Sequence, residues 1–243
     1  MSAETPAAGG FLKLAEEEIW RGRIVRVCRT IWAAPDGMEI ERDVIRHPGA
    51  VAVVALTSDE PERVLMLRQF RASVGTEILE IPAGTLDVDG EDPLEAASRE
   101  LEEEAGVRPG RIELLGEMLN SPGVSDQRTR IYLARELVAS GARPAGVEER
   151  HMEVVALTWD EVGEAIADGS LVDAQSQIGL MLAMAVLGRQ RRGTQERQDD
   201  AAHEREDDAA HEREDDAAHE REDDAAHERE DDAAHEREDD AAP

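Results

Sequence analysis

The run GAVAVVAL, residues 49–56, places eight residues without a polar side chain in succession, three of them valine. An apolar run of this length, rich in β-branched residues, suits a strand buried on both faces. Such a strand needs cover on both sides of its sheet. The flanking segments agree with that demand. RGRIVRVCRTIW reads as a strand, APDG as a turn and MEIERDVIRH as the returning strand, ended by Pro48. RVLMLRQFR and TEILEIP follow as strands. DPLEAASRELEEEAG has helical spacing, with Asp92 before Pro93 at its first turn and Gly106 at its end. IELLGEM and RTRIYLAREL resume the strand pattern, and MEVVALTW is a further strand. DEVGEAIADG and LVDAQSQIGLMLAMAVLGRQRR read as helices. This order predicts an α/β (α+β) fold, a mixed α/β core behind a small N-terminal β-hairpin region.

Charge separates the C-terminal end from this body. From Ala201 to Asp240 the octapeptide AAHEREDD repeats five times without error, after a degraded copy, GTQERQDD. Residues 194–243 carry 23 acids and 6 arginines, and residues 1–193 hold 34 acids against 21 bases, out of a total charge of −30. The repeat offers no side chain larger than alanine for burial, so it does not offset its own ordering entropy. We expect a disordered or solvated acidic tail, with some nascent helix that increases on acidification. Its charge suits basic partners. The chain thus divides into 1–47, 48–193 and 194–243. A net acidic body argues against nucleic acid, which requires clustered Lys and Arg, and against anionic membrane surfaces. The longest apolar run, residues 178–187, is too short to span a bilayer. The lone Cys28 forms no intrachain disulfide, and MSAETPAAGG lacks the basic and apolar regions of a signal peptide. The expected location is cytoplasmic.

RELEEEAG, residues 99–106, crowds four glutamates into five positions. On a helix, Glu100 and Glu104 are a like-charge pair at i, i+4, destabilising by a few tenths of a kcal/mol. At about 100° per residue, Leu94, Ala97, Leu101 and Ala105 form a core face. Glu100, Glu103 and Glu104 lie along its edge, while Glu95 and Glu102 point away. The cluster reads either as a solvated acidic face or as a site for a cation. Arg99 is in reach of Glu95 or Glu103 as a helix ion pair.

The flanks add a further pattern. IPAGTLDVDGEDPLEAAS followed by RELEEEAGV resembles the Nudix box, with Glu91, Arg99, Glu100, Leu101, Glu103, Glu104, Gly106 and Val107 in register and one extra residue between Gly84 and Glu91. RQFR (68–71), LEIPAGTLD, SPGVSD (121–126) and IYLAREL, with Pro122 sixteen residues beyond Gly106, are similar to the bacterial ADP-ribose pyrophosphatases. The resemblance extends from about Gly22 to Val186 and implies that 48–193 is a Nudix hydrolase domain of the Nudix fold, a mixed β-sheet sandwiched between helices.

That resemblance implies Mg²⁺-dependent hydrolysis of ADP-ribose to AMP and ribose 5-phosphate, with Mn²⁺ as a substitute cation. The alternatives are another nucleoside-diphosphate derivative, such as a nucleotide sugar or dinucleotide, and a non-catalytic ADP-ribose-binding module. It implies that Glu100, Glu103 and Glu104 hold the metal with the Ala83 carbonyl, an all-oxygen set that suits Mg²⁺. Gly84, Glu91, Arg99 and Gly106 are its structural positions, Glu91 and Arg99 bracing loop against helix. Arg46, Arg71, Thr85 and Ser121 are the implied substrate contacts; Arg46 and Arg71 also read as plain strand arginines. The implied general base is a glutamate of GVEERHMEVV, Glu149 first and Glu148 second, with Glu153 open. Some relatives stack adenine on N-terminal tryptophans, but Ile24 and Glu41 stand there in this chain, so base recognition is expected to use aliphatic or backbone contacts. Relatives exchange N-terminal strands in homodimers, which implies the same for the hairpin at 21–47.

Overall fold

The computed structural model describes residues 8–141, 149–193, 195 and 197; the AAHEREDD repeats, and with them the expectations for their conformation and partners, lie outside these residues. The chain divides at Val186 into two units, and all elements named below belong to the first. In the second, residues 187–193 are helical.

Two sheets form the first unit. Strands β1 (Leu12–Arg21), β2 (Arg26–Ala33) and β3 (Glu39–Arg46) make an antiparallel three-stranded sheet in that order. The expected hairpin is therefore the inner part of a meander. The additional strand, β1, carries register shifts between Lys13 and Ala15 and between Glu18 and Trp20. Each shift breaks the period-two alternation by which a strand is recognised. The segment expected to start the first strand at Arg21 instead turns through residues 22–25, closed by the Gly22 N–H donating to the Val25 carbonyl at 2.9 Å.

The second sheet has seven strands: β4 (Ala50–Leu56), β5 (Arg63–Arg71), β6 (Thr76–Glu80), β7 (Ala83–Thr85), β8 (Val107–Leu119), β9 (Arg128–Ala139) and β10 (Glu153–Thr158). Its main path runs β10-β5-β4-β9-β8, with β6 on β5 and β7 on β4. Only β4 and β9 pair in parallel, which makes the sheet mixed. The stretch expected as a glycine-rich turn contains β7, whose Ala83, Gly84 and Thr85 pair with Ala52, Val51 and Ala50.

Every residue of β4 is buried, and its two faces have different cover. Val51, Val53 and Ala55, with Tyr132 and Ala134 of β9, pack against Ala96, Ala97 and Leu101 of helix α1 (Pro93–Ala105). Val54 and Ile131 face the other way, toward helix α3 (residues 174–186); a Cβ on Gly179 of that helix would stand 3.3 and 3.2 Å from them. A third helix, α2 (Trp159–Ala167), follows β10 and opens with a capping box between Thr158 and Glu161. The sheet thus lies between helices, as the apolar run requires.

Local signals set the ends of α1. The Asp92 side chain accepts from the Leu94 N–H at 2.8 Å, Pro93 occupies the first turn, and Gly106 closes the helix with φ 68°. The buried face is rotated from the expected one: Ala96, Ala97, Leu101 and Glu104 are buried, whereas Leu94 is 40% exposed. Side chains on a helix tilt toward its N-terminus, so a first-turn residue leans past the end of the packed face. Glu102, expected to face solvent, is held by Arg108 through two bonds of 2.7 and 2.8 Å.

Leu101 joins α1 to β4 at the centre of this packing. Leu101→Ala should lower unfolding stability by about 2–5 kcal/mol, measured by urea denaturation of the full chain.

Candidate functional site

The packing of α1 on the sheet brings its acidic edge against the backbone of β7. Glu104 is 6% exposed, and its Oε2 accepts from the Ala83 N–H at 2.9 Å. Glu100 lies across Gly84 so closely that an added Cβ there would stand 1.9 Å from the Glu100 Cδ. Only glycine leaves room for that carboxylate.

Arg99 supplies the countercharge. Its Nε and Nη2 donate to the two carboxylate oxygens of Glu91 at 2.9 and 3.0 Å, a bidentate pair between the loop and the helix. Its Nη1 stands 2.8 Å from Glu100 Oε1 and 3.1 Å from Glu103 Oε2. The same guanidinium holds Glu91 below the usual carboxylate range, and Glu91 in turn raises Arg99. The expected brace between Glu91 and Arg99 thus exists, and Arg99 also reaches Glu103.

Among the described residues no three His, Cys, Asp or Glu side chains are arranged as a ready-made metal cage. Glu104 is turned to the Ala83 N–H, and Glu100 and Glu103 share a guanidinium. The donor chemistry still fits a hard divalent cation. Three carboxylates lie within one helical turn and a half, one of them against a glycine backbone, and a positive group already sits between two of them.

Beside this edge is a cleft of about 690 Å³. Ala83, Gly84 and Thr85 form part of its wall, with Ala50 and Gln127 next to them. Arg71 and Ser73 enter from the end of β5, Gln175 from α3, and His47 from the segment after β3. The turn between β1 and β2 completes it with Gly22, Arg23, Ile24 and Val25, beside Trp20. Of the expected substrate contacts, Arg71 and Thr85 line the cleft.

Arg46 and Ser121 do not line it. Arg46 donates through Nε and Nη2 to Glu16 at 3.0 and 2.7 Å, and through Nη1 to Asp126 at 3.0 Å. The bonds from Arg46, with Lys13 adding to them, lower the Glu16 carboxyl from the usual carboxylate range to about 2. Arg46 therefore acts here as a tie between β1, β3 and the loop before β9. The Ser121 carbonyl accepts from the N–H groups of Val124 and Ser125 at 3.0 and 2.9 Å within that loop.

Of the base candidates, Glu148 lies outside the described residues. Glu149 opens a 3-10 turn, Glu149–His151, that lies near β5. Glu153 is exposed, with its carboxylate 3.6 Å from Arg68.

Trp20, Arg23 and His47 were not expected here. Trp20 is 56% exposed and lines the cleft together with Ile24, so an aromatic face is available where aliphatic or backbone contacts were anticipated. Arg23 was hidden inside a supposed strand. His47 Nδ1 accepts from the Gly49 N–H at 3.0 Å, and burial lowers its pKa, so a neutral ring with its proton on Nε2 lines the wall. The HPG sequence marks a turn, but nothing in it indicates a cleft.

Known proteins resemble this chain in sequence and fold. The family model described as the NUDIX domain matches residues 46–177. The chain is 36% identical over 165 residues to the methanol dehydrogenase activator of Bacillus methanolicus, covering 68% of this chain and 87% of that protein. It is 34% identical over 181 residues to the ADP-ribose pyrophosphatase of Mycobacterium tuberculosis, covering 72% and 84%. A crystal structure described as an ADP compounds hydrolase superposes with a TM-score of 0.66 at 20% identity, over 77% of this chain and 98% of the other, which shows the shared fold.

Gly84→Ala should force the flexible Glu100 side chain aside while leaving β7 paired. We expect about a tenfold loss of Mn²⁺ affinity by calorimetry, with little change in melting temperature.

Proposed function

Because the chain belongs to the Nudix family, we propose that it hydrolyses the diphosphate bond of ADP-ribose, giving AMP and ribose 5-phosphate in a Mg²⁺-dependent reaction. The observation that carries this reading is the cleft itself. Two cations, Arg23 and Arg71, and an exposed indole, Trp20, share one cavity with the glycine backbone against which Glu100 packs. A cationic wall suits a diphosphate, and an aromatic face suits a base.

Glu100, Glu103 and Glu104, with the Ala83 carbonyl, would hold Mg²⁺, or Mn²⁺ in its place, which when bound neutralises the diphosphate and lowers the pKa of the attacking water. Arg71 and Arg23 bind the diphosphate, and Thr85 and the neutral His47 offer hydrogen bonds along the same wall. Arg99 keeps the loop of Glu91 against α1 and offsets the repulsion among the acids. The attacking water forms a bond to phosphorus, its proton passes to a loop carboxylate, and the bridging P–O bond breaks. Glu149 is the first choice for that carboxylate and Glu148 the second.

A nucleotide sugar or a dinucleotide would use the same cations and the same metal, so substrate choice rests on the group beyond the diphosphate. A non-catalytic ADP-ribose-binding module is the third reading. It gains little from a cluster of mutually repelling carboxylates held at a glycine. No helix among the described residues is long and apolar enough to cross a membrane.

The decisive assay is a panel of ADP-ribose, a nucleotide sugar and a dinucleotide with Mg²⁺, comparing the natural chain with Glu103→Gln. ADP-ribose should turn over fastest, and the variant should lose at least about tenfold in kcat. Absence of turnover on all three substrates, or full activity in the variant, would refute the catalytic reading.

The second part of the proposal is a homodimer joined through the N-terminal sheet. Phe11, Leu14, Ile19, Trp20 and Ile24 are all exposed in or beside β1. Such a concentration of exposed apolar side chains on one region suits a protein partner. Light scattering at micromolar concentration should give twice the chain mass, and Ile19→Glu should shift it toward one; a monomer for the natural chain would contradict the dimer.

A further inference from the structure

Arg71 is the cleft cation whose support is unusual. Its Nε donates to Glu80 Oε2 at 2.7 Å, and among the described residues no other group holds its Nη1 or Nη2. The Glu80 side chain is 5% exposed, whereas that of Arg71 is 37% exposed and lines the cleft. The acid lies between the buried apolar residues Leu79 and Ile81. Burial pushes the Glu80 carboxyl up and Arg71 pulls it down, with a net upward shift. Burying a carboxylate against one half-exposed partner is unfavourable for folding, and an apolar side chain would fill such a position at least as well. Stability alone therefore does not account for an acid here.

Its position, however, is tightly defined. Glu80 pairs with Leu67 in the β5–β6 register. The next residue, Ile81, donates its N–H at 2.9 Å to the Ser176 Oγ, which is fully buried and bonds in turn to Asp173 Oδ2 at 2.6 Å. The start of α3 thus holds the backbone beside Glu80. A carboxylate on such a base can fix a guanidinium by its Nε, leaving the remaining N–H groups to a ligand.

We infer that Glu80 is a positioning residue: by holding Arg71 at Nε it keeps the two Nη groups of Arg71 as a preset donor pair for the diphosphate of a nucleoside diphosphate in the cleft. The inference rests on Arg71 being a substrate contact, as proposed above. An arginine on an unsupported stem loses rotamer freedom when it binds, so a preset one binds its anion more tightly. Lysine at 71 would lack both the Nε contact and the paired donors.

The test is a double-mutant cycle on the full chain, read as ADP affinity by calorimetry, which does not depend on turnover. Glu80→Gln keeps the shape of the side chain and should weaken ADP binding about tenfold, and Arg71→Ala should weaken it at least as much. In the Arg71→Ala background Glu80→Gln should have no further effect, because nothing is left to position. Glu80→Asp, which keeps the charge, should recover part of the affinity. If Glu80→Gln does not fold, as judged by its melting curve, Glu80→Met, apolar and of similar length, replaces it in the cycle under the same criteria. An equal loss from the Glu80 variant with and without Arg71 would overturn the inference, as would unchanged ADP affinity in that variant. Unchanged affinity in Arg71→Ala, or no ADP binding by the natural chain, would also overturn it and would remove the diphosphate contact. Failure of the hydrolytic reading appears separately, in the substrate panel.

Discussion

The approach of α1 to β4 is the contact on which the candidate site depends. Ala96 and Ala97 are fully buried and small, so the helix backbone comes close to Val51, Val53 and Ala55. At that distance Glu104 reaches the Ala83 N–H and Glu100 covers Gly84. A larger residue at either alanine would lift the acidic edge away from β7. Close packing transmits such a change because protein interiors have little free volume. The buried face of β4 therefore does more than stabilise the fold; it sets the separation between carboxylates and glycine backbone.

Charge neutralisation follows a consistent pattern in an acidic chain. Arg99 serves Glu91, Glu100 and Glu103, Arg108 serves Glu102, and Arg46 joins Glu16 to Asp126. Each guanidinium forks between oxygens, which a lysine ammonium does not do with the same geometry. Around the cleft the balance differs. Arg71 has only its Nε in a described bond, and Arg23 lines the same cleft. The cleft thus concentrates positive donors next to an acidic edge, an arrangement suited to a dianionic substrate and a divalent cation together.

Periodic segments were legible without coordinates. The apolar run became a strand buried on both faces, and the helix of RELEEEAG began at Asp92 and ended at Gly106 as its caps demand. Where the pattern was interrupted, legibility failed. Two register shifts concealed β1, and the first-turn position of Leu94 removed it from the core face. Glu102 was assigned to solvent because its partner, Arg108, lies beyond the helix end. Arg46 was legible as an arginine on a strand, but not as one already saturated by Glu16 and Asp126, each remote from it in sequence.

The sequence by itself determined the spacing of Glu100, Glu103 and Glu104 along one edge of a helix, because helical geometry depends only on local separation. It also determined that β4 needs cover on both faces, because its composition admits no solvent. Tertiary structure alone decided that Trp20, Arg23, His47, Arg71 and Gln175 meet at one cleft, and that Glu80 supports one of them. These residues come from a meander, a strand end and a helix more than 150 positions apart, and their meeting depends on strand register and on which face of the sheet each helix covers. Neither is encoded by local periodicity; both follow from how the whole chain excludes water from its apolar surface.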